Sequence, residues 1–169
     1  AIKRGDDPGP LAGVTFGAKD LYDIAGYTTT AGARLRANAP PAEEDAAAVA
    51  SMKAAGATLL GSQNMDEFAY GFTTENEHTG PTRNPHDVSR IAGGSSGGSA
   101  ASVAARLCAA SIGSDTNGSV RVPAALCGVV GYKPGKGVLS TEGILPFSPT
   151  LDQPGVFARS VEDAALLVA

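Results

Sequence analysis

The chain has 169 residues, of which 43% are hydrophobic and 18% are charged, and its net charge at pH 7 is −4. This composition excludes a disordered chain and is typical of one globular domain with a core of its own. Because the charge balance is negative and no block of like charges occurs, we expect no direct binding to nucleic acid or to an anionic membrane surface.

The first half of the chain predicts a strand, a helix and a second strand. Residues 13–18 form a short apolar strand that leads into Lys19. A helix is predicted from Pro41 to a stop at Gly56, with three acidic residues near its N-terminus, where they suit the helix dipole. "TLLG", residues 58–61, follows as a buried strand.

The middle of the chain is richer in turns and small residues. "MDEFAYGF", residues 65–72, predicts another short helix, and residues 73–90 predict an ordered loop over the core. From 98 to 106 nearly all residues are Gly, Ser, Ala or Val, which lets a helix pack closely on every side. We therefore place that helix in the interior.

The last third continues the alternation of strands and helices. "CAASIG" (108–113) predicts a strand that leads into the turn "SDTNG" (114–118). A helix through "VPAALCG" (122–128) and a strand through "GVVGYKP" (128–134) follow. The alternation predicts an α/β fold with a largely buried mixed β-sheet covered by helices.

Cysteines and chain ends indicate the setting of the protein. Cys108 and Cys127 lie in apolar surroundings without metal-type spacing, which predicts buried free thiols in a reducing compartment. No stretch approaches the roughly 18 apolar residues of a membrane span, and no secretory signal opens the chain, so we expect a cytoplasmic protein. The chain starts without Met and stops inside a helix with Ser160 as predicted N-cap, so we expect residues 1–169 to be a segment truncated at both ends.

Serine and glycine crowd both ends of residues 93–124, which allows three interpretations. A flexible linker is not followed by a small-residue helix and apolar strands. A phosphate loop needs a Lys and a Ser or Thr after its second glycine, and "GGSSGGSA" has none there. Nucleophilic catalysis fits better, because a serine nucleophile needs a base and hydrogen-bond donors for the oxyanion.

The base is the open question at this point. The two histidines, His78 and His86, both lie in the turn-rich loop, where a surface or packing role is expected. Lys19 can serve if burial lowers its pKa enough to leave it neutral near pH 7. Spacing alone favours the alternative, a solvated loop lysine.

Six segments, in order from about residue 11 to the end, resemble the amidase signature family: "GVTFGAKD", "GSQNMDEFAYGFTTEN", "GPTRNP", "AGGSSGGSAASVAA", "GSDTNGSVRVPAALCGVVGYKP" and "LDQPGVFARSVEDAALL". The resemblance implies a catalytic core segment of an amidase domain and a Ser–Ser–Lys triad. It makes Ser119 the nucleophile, Ser95 the bridging serine and Lys19 the base, with a cis peptide bond before Ser95. It also implies that no metal or organic cofactor is needed.

The relay implied by the resemblance explains the polar segment. Neutral Lys19 takes a proton from Ser95, which takes one from Ser119, and Ser119 attacks an amide carbonyl. The predicted oxyanion hole consists of the backbone N–H groups of Thr116, Asn117, Gly118 and Ser119. We expect an amidohydrolase that cleaves a small carboxamide or urea-like C–N bond other than a peptide bond.

Asn117 departs from the common family turn "D-T-G-G-S". Asn tolerates a left-handed backbone, and its side chain can enter the acyl pocket. "GSDTNGS", "YGFTTEN" and "GPTRNPHD" most resemble the branch that contains the 1-carboxybiuret hydrolase subunit of triazine breakdown. The alternatives are the glutaminase A subunit of a tRNA-dependent amidotransferase and an inert truncated fragment. A small partner subunit and a homodimer are both compatible with the resemblance.

Other polar residues near these motifs have two interpretations. Asp115 and Arg121 flank the nucleophile, and a structural ion pair is favoured over direct contact with the substrate. Glu75, Asn76 and Tyr70 could line the pocket, but loop scaffolding is favoured for each.

Overall fold

The computed structural model describes residues 7–169, so the start of the chain, where a truncation is expected, lies outside the described residues. Two short 3-10 turns, Arg34–Arg36 and Glu67–Ala69, accompany the regular elements. In chain order these are β1 (Thr15–Lys19), α1 (Ala47–Ala54), β2 (Thr58–Gln63), β3 (Glu75–Asn76), β4 (Gly80–Pro81), β5 (Arg83–Asn84), β6 (Asp87–Ile91), α2 (Gly97–Ala104), β7 (Ala110–Asp115), α3 (Arg121–Cys127), β8 (Val130–Tyr132), β9 (Gln153–Ala158) and α4 (Val161–Leu166).

A mixed sheet of five strands, in the order β2-β1-β7-β9-β8, organises the chain. β1 runs parallel to β2 and β7, whereas β9 runs antiparallel to β7 and β8. Every residue of β7 and β9 is buried, as expected for strands in the centre of a covered sheet. The predicted α/β fold with a mixed sheet is confirmed. Because β1 and β7 are parallel, their last residues, Lys19 and Asp115, lie at the same end of the sheet, where the two strands finish.

The small-residue helix lies in the interior, as predicted. Five of the eight residues of α2 are buried, and the helix contacts both the sheet and α3. Its apolar residues share a core cluster with Val120, Cys127 and Phe157. A helix without large side chains therefore brings its N-terminus close to the end of β7.

Two predictions in the first half are wrong in detail. Helix α1 begins at Ala47 instead of Pro41, because Asp45 accepts hydrogen bonds from the Ala25 amide (2.9 Å) and from Lys53 (2.7 Å) and holds the acidic segment outside the helix. Strand β2 is not buried but alternates between exposed and half-buried residues. The reason is its position at the edge of the sheet, where one side has no neighbouring strand.

The segment between β2 and α2 forms short, irregular pieces. The predicted helix at residues 65–72 is only the 3-10 turn, because Phe68 and Ala69 adopt the left-handed backbone region with φ of 50° and 60°. The predicted ordered loop at 73–90 contains two short antiparallel strand pairs, β3 with β4 and β5 with β6. Only the last residue of β6, Ile91, lies beyond the predicted loop. This loop covers the segment that carries the glycines and serines.

Near the end of the chain, Ser160 caps α4 by accepting a hydrogen bond from the Asp163 amide at 3.1 Å, as predicted. Cys108 and Cys127 are buried and free, also as predicted. In the part of the chain that the structure describes, no helix is long and apolar enough to cross a membrane.

Candidate active site

Lys19, the last residue of β1, is the centre of a buried polar cluster at this end of the sheet. Its side chain has no exposed surface, and Nζ lies 2.6 Å from Oγ of Ser95 and 2.9 Å from Oγ of Ser114. Desolvation lowers the pKa of Lys19 from 10.5 to about 7, and three nearby carboxylates offset this effect only in part. The solvated-lysine interpretation is therefore wrong, because burial lowers the pKa of the Lys19 amine into the neutral range.

Ser95 approaches Lys19 from the turn before α2. The peptide bond between Gly94 and Ser95 is cis, as predicted. Only glycine fits at position 94, because an added Cβ would collide with Oδ2 of Asp66 and would lie 2.8 Å from the amide of Thr73. The Asp66 amide in turn donates to the Ser95 carbonyl at 3.2 Å. The turn is thus packed from both sides with its hydroxyl facing the lysine.

Ser119 lies in the turn between β7 and α3, in contact with the turn that carries Ser95 and Ser96. Its carbonyl accepts a hydrogen bond from the Ser96 amide at 3.3 Å, which joins the two serine-bearing turns. Within residues 7–169 the Ser119 hydroxyl makes no hydrogen bond, and the residue keeps 5% of its surface exposed. The structure thus brings all three predicted triad residues to one place, with direct side-chain contact between Lys19 and Ser95.

Asp115 fixes the shape of the Ser119 turn. Its buried carboxylate accepts hydrogen bonds from the amides of Gly118 (2.8 Å) and Val120 (3.1 Å) and from the Arg121 guanidinium (2.9 and 3.0 Å), and Lys133 lies 3.1 Å away. Burial alone would raise the pKa of the Asp115 carboxyl, but these donors together hold it well below its usual value. The predicted structural ion pair with Arg121 is confirmed.

The four backbone amides predicted to form an oxyanion hole are not all free in the structure. The Gly118 amide is already occupied by Asp115, whereas the amides of Thr116, Asn117 and Ser119 donate to no other group among the residues described. The positive φ of the turn, 137°, belongs to Gly118, so Asn117 does not use the left-handed backbone that its residue type allows. The Asn117 side chain is exposed.

Of the possible pocket residues, Asn76 is scaffolding. Its buried side-chain amide donates to the carbonyls of Gly32 (2.8 Å) and Met65 (2.9 Å). Glu75 is exposed and lies 3.8 Å from Arg83. Tyr70 is 80% exposed and stacks on Phe147, with ring centroids 6.0 Å apart.

The two histidines take no part in the lysine–serine cluster. His86 donates through Nε2 to the Cys127 carbonyl at 3.0 Å, and His78 lies 3.8 Å from Glu67. The loop-packing interpretation of both residues is therefore correct. Across residues 7–169, no group of three or more His, Cys, Asp or Glu side chains could hold a metal ion.

Sequence reasoning does not single out three residues of the cluster: Ser114, Asp66 and Asp152. Ser114 is the last residue but one of β7, and the parallel pairing of β7 with β1 could have placed it near Lys19. Asp152 accepts hydrogen bonds from the amides of Phe147 (2.7 Å) and Ser148 (2.8 Å) and from the Thr116 hydroxyl. Asp66 and Asp152 come from irregular segments, so no periodic pattern points to either.

The comparisons with known proteins show the family of this chain. Residues 1–169 match the protein-family model Amidase. The chain belongs to the amidase family. The amidase chain is 60% identical over 163 residues to the 1-carboxybiuret hydrolase subunit AtzE of Pseudomonas sp. strain ADP, covering 96% of this chain and 36% of that protein. The family and fold implied by the sequence motifs are thus confirmed.

Two further similarities define the range of relatives of this amidase chain. It is 54% identical over 167 residues to the A subunit of glutamyl-tRNA(Gln) amidotransferase from Carboxydothermus hydrogenoformans, covering 99% of this chain and 34% of that protein. The chain also superposes on one chain of a solved structure, described as a vestigial protein complex that reveals the evolutionary origins of an s-triazine catabolic enzyme, with a TM-score of 0.97 and 58% sequence identity. The superposition covers 99% of this chain and 36% of the solved chain. The chain spans about a third of the length of these relatives.

Proposed function

We propose that this chain carries the acyl-transfer site of an amidohydrolase that cleaves a small carboxamide or urea-like C–N bond. Lys19, Ser95 and Ser119 are its Ser–Ser–Lys triad. The observation that carries the proposal is the 2.6 Å contact between the fully buried Lys19 amine and the Ser95 hydroxyl. A lysine whose pKa is about 7 can act as a base at neutral pH.

Acylation begins with neutral Lys19. Its lone pair accepts the Ser95 proton while Ser95 accepts the Ser119 proton, and Oγ of Ser119 forms a bond to the substrate carbonyl carbon. This relay requires the Ser119 hydroxyl to hydrogen-bond to Ser95 once substrate is present, since catalytic hydrogen bonds often tighten only in the substrate complex. The carbonyl oxygen becomes an oxyanion, for which the Thr116, Asn117 and Ser119 amides are available; one such donor contributes about 2.7–4 kcal/mol.

The tetrahedral intermediate then releases the amine. The Lys19 ammonium returns its proton through Ser95 to the departing nitrogen, the C–N bond breaks, and the acyl group remains on Ser119. A water molecule, deprotonated through the same relay, then attacks the acyl carbon. The bond between this carbon and Oγ of Ser119 breaks, the relay returns the proton to Oγ, and the acid product leaves. The reaction uses only groups of this chain and water.

The substrate class is a small amide or urea with a second polar group. Asn117 supports this choice, because its side-chain amide is exposed beside the proposed oxyanion donors and forms no hydrogen bond with the described residues. The 60% identity to a 1-carboxybiuret hydrolase subunit supports a urea-like, carboxylated molecule.

Covalent labelling tests the nucleophile. The complete protein that contains this sequence is treated with a fluorophosphonate, and the adduct is mapped by mass spectrometry. We expect the adduct on Ser119 and its loss in Ser119→Ala, while Ser89→Ala, which changes an exposed strand residue, remains labelled. An adduct on Ser95 or Ser96 with Ser119 unmodified would overturn the assignment.

A glutaminase subunit of a tRNA-dependent amidotransferase is the second candidate function. The 54% identity to the A subunit of such an amidotransferase favours it. This second function predicts hydrolysis of glutamine and co-purification with a tRNA-binding partner. The first proposal instead predicts turnover of ureas and amides without a tRNA-binding partner, by a monomer, a homodimer or a complex with a small partner subunit. Assaying residues 1–169 beside the complete protein also tests the third possibility, that this segment is inert.

A further inference from the structure

Asp66 is a buried carboxylate that touches the candidate site without a role in the proposed relay. It is 7% exposed and follows β2 by a few residues. Its Oδ1 accepts a hydrogen bond from the Thr74 amide at 2.9 Å, and its own amide donates to the Ser95 carbonyl at 3.2 Å. Its Oδ2 is buried without a hydrogen-bond partner and packs against Gly94. An unpartnered buried carboxylate oxygen calls for an explanation, because such a group normally finds a donor.

Three carboxylates act on Lys19, and they differ in how far other donors compensate them. Asp115 is neutralised by Arg121 and Lys133. Asp152 is hydrogen-bonded through both oxygens, to the Thr116 hydroxyl and to two backbone amides. Asp66 is the one of the three whose second oxygen has no donor, and its charge raises the pKa of Lys19 more than either of the others does.

We propose that Asp66 is a positioning residue, whose buried carboxylate packs against the Gly94–Ser95 turn and stabilises the protonated amine of Lys19 beside Ser95. The proposal rests on the proposed function, in which Lys19 is the base. Without the Asp66 carboxylate, burial would make Lys19 a weaker base and would leave the ammonium formed during acylation less stabilised. Asp66 therefore maintains the proton affinity of a lysine that burial depresses.

The other groups around Lys19 cannot replace this effect. The Tyr22 hydroxyl donates to the Gly113 carbonyl, and burial raises its pKa far above neutrality, so it carries no charge. Ser95 and Ser114 are neutral. Burial raises the pKa of the Asp66 carboxyl above its usual value; the Thr74 amide, the charge of Lys19 and the Thr73 amide lower it in part, and Glu75 adds a smaller increase.

The test is the pH dependence of kcat/KM in Asp66→Asn of the complete protein, which keeps the shape of the side chain and its acceptor for Thr74. We expect the acidic limb to move to lower pH by about one unit, as for the loss of an opposite charge nearby. The plateau should fall by about three- to tenfold, because Lys19 is then a weaker base. Purely structural damage would lower the plateau without moving the limb. Glu67→Gln removes an exposed carboxylate from the adjacent residue, and its limb should not move.

A direct titration separates this proposal from the proposed function. The Lys19 side-chain 13C resonance should titrate at lower pH in Asp66→Asn than in the wild type, whether or not the protein turns over a substrate. In the wild type, the Asp66 carboxyl resonance should shift as Lys19 titrates, which requires no variant to fold. The proposal would be overturned if the titration midpoint of Lys19 in Asp66→Asn stayed the same or rose. It would also be overturned if the Asp66 carboxyl resonance of the wild type did not shift over the pH range in which Lys19 titrates. Full activity of Lys19→Ala would instead refute the proposed function.

Discussion

Replacing Lys19 is the most direct test of the mechanism, because the structure gives the size of the effect. An ordinary lysine with a pKa of 10.5 is neutral in roughly 0.03% of molecules at pH 7. With a pKa of about 7, half of the Lys19 side chains are neutral at that pH. Burial thus increases the neutral fraction of the Lys19 amine at pH 7 by roughly a thousandfold.

The consequence is a defined pH profile for the wild type. Below pH 7 the neutral fraction of Lys19 falls about tenfold per pH unit, so kcat/KM should fall with unit slope between pH 6 and 5 and level off above about pH 8. Lys19→Ala should lose about 10²–10⁴-fold in kcat/KM, the usual contribution of general base catalysis. Lys19→Arg should lose as much at every pH, because arginine stays protonated.

The assay measures kcat/KM for an amide or urea substrate between pH 5 and 9 at constant ionic strength, with circular dichroism and melting curves to confirm that each variant is folded. Lys53→Ala is the matched control, since Lys53 pairs with Asp45 on the surface and should leave the profile unchanged. Near-normal turnover in folded Lys19→Ala, or a flat profile between pH 5 and 8, would refute the reasoning.

Three further substitutions test the frame of the site. Gly94→Ala should abolish activity and lower the melting temperature, because its Cβ would collide with the Asp66 carboxylate; normal kinetics would contradict this. Arg121→Ala should lower the free energy of unfolding by about 2 kcal/mol through two lost hydrogen bonds to Asp115, which urea titration would detect. Asn117→Gly should keep the fold but reduce kcat/KM about ten- to a hundredfold for urea-like or carboxylated substrates, with little change for aliphatic amides. Equal changes on both classes would make Asn117 a turn residue only.

Much of the frame around the site follows from local patterns in the sequence. The run of small residues after Gly97 predicts an interior helix, because only small side chains let a helix pack closely on all sides. Alternating strands and helices predict the mixed sheet. The parallel pairing of β1 with β7 then places Lys19 near the serine-rich turns, although spacing alone favours a solvated lysine.

The missing parts depend on contacts between distant residues. No local pattern predicts strand β9, because Pro154 and Gly155 are unfavourable within a strand; the strand forms through its pairing with β7 and β8. The predicted start of α1 is too early, because the hydrogen bonds of Asp45 to Ala25 and Lys53 compete with helix formation. The sequence does not predict a role for Asp66, because this role depends on packing against Gly94, and the spacing of residues in the sequence does not indicate that contact.

The burial of Lys19 links stability to the same pH range as activity. In the unfolded chain this lysine keeps its proton up to about pH 10.5, whereas in the folded chain it loses the proton near pH 7. Between these values the unfolded state binds more protons, so folding stability rises with pH, and below pH 7 the cost of burying the ammonium is fully present. The neutral amine is thus both the form that the proposed mechanism needs and the form that the fold favours. A site that needs a neutral lysine therefore gains from a closely packed interior, in which the buried amine contacts the hydroxyls of Ser95 and Ser114.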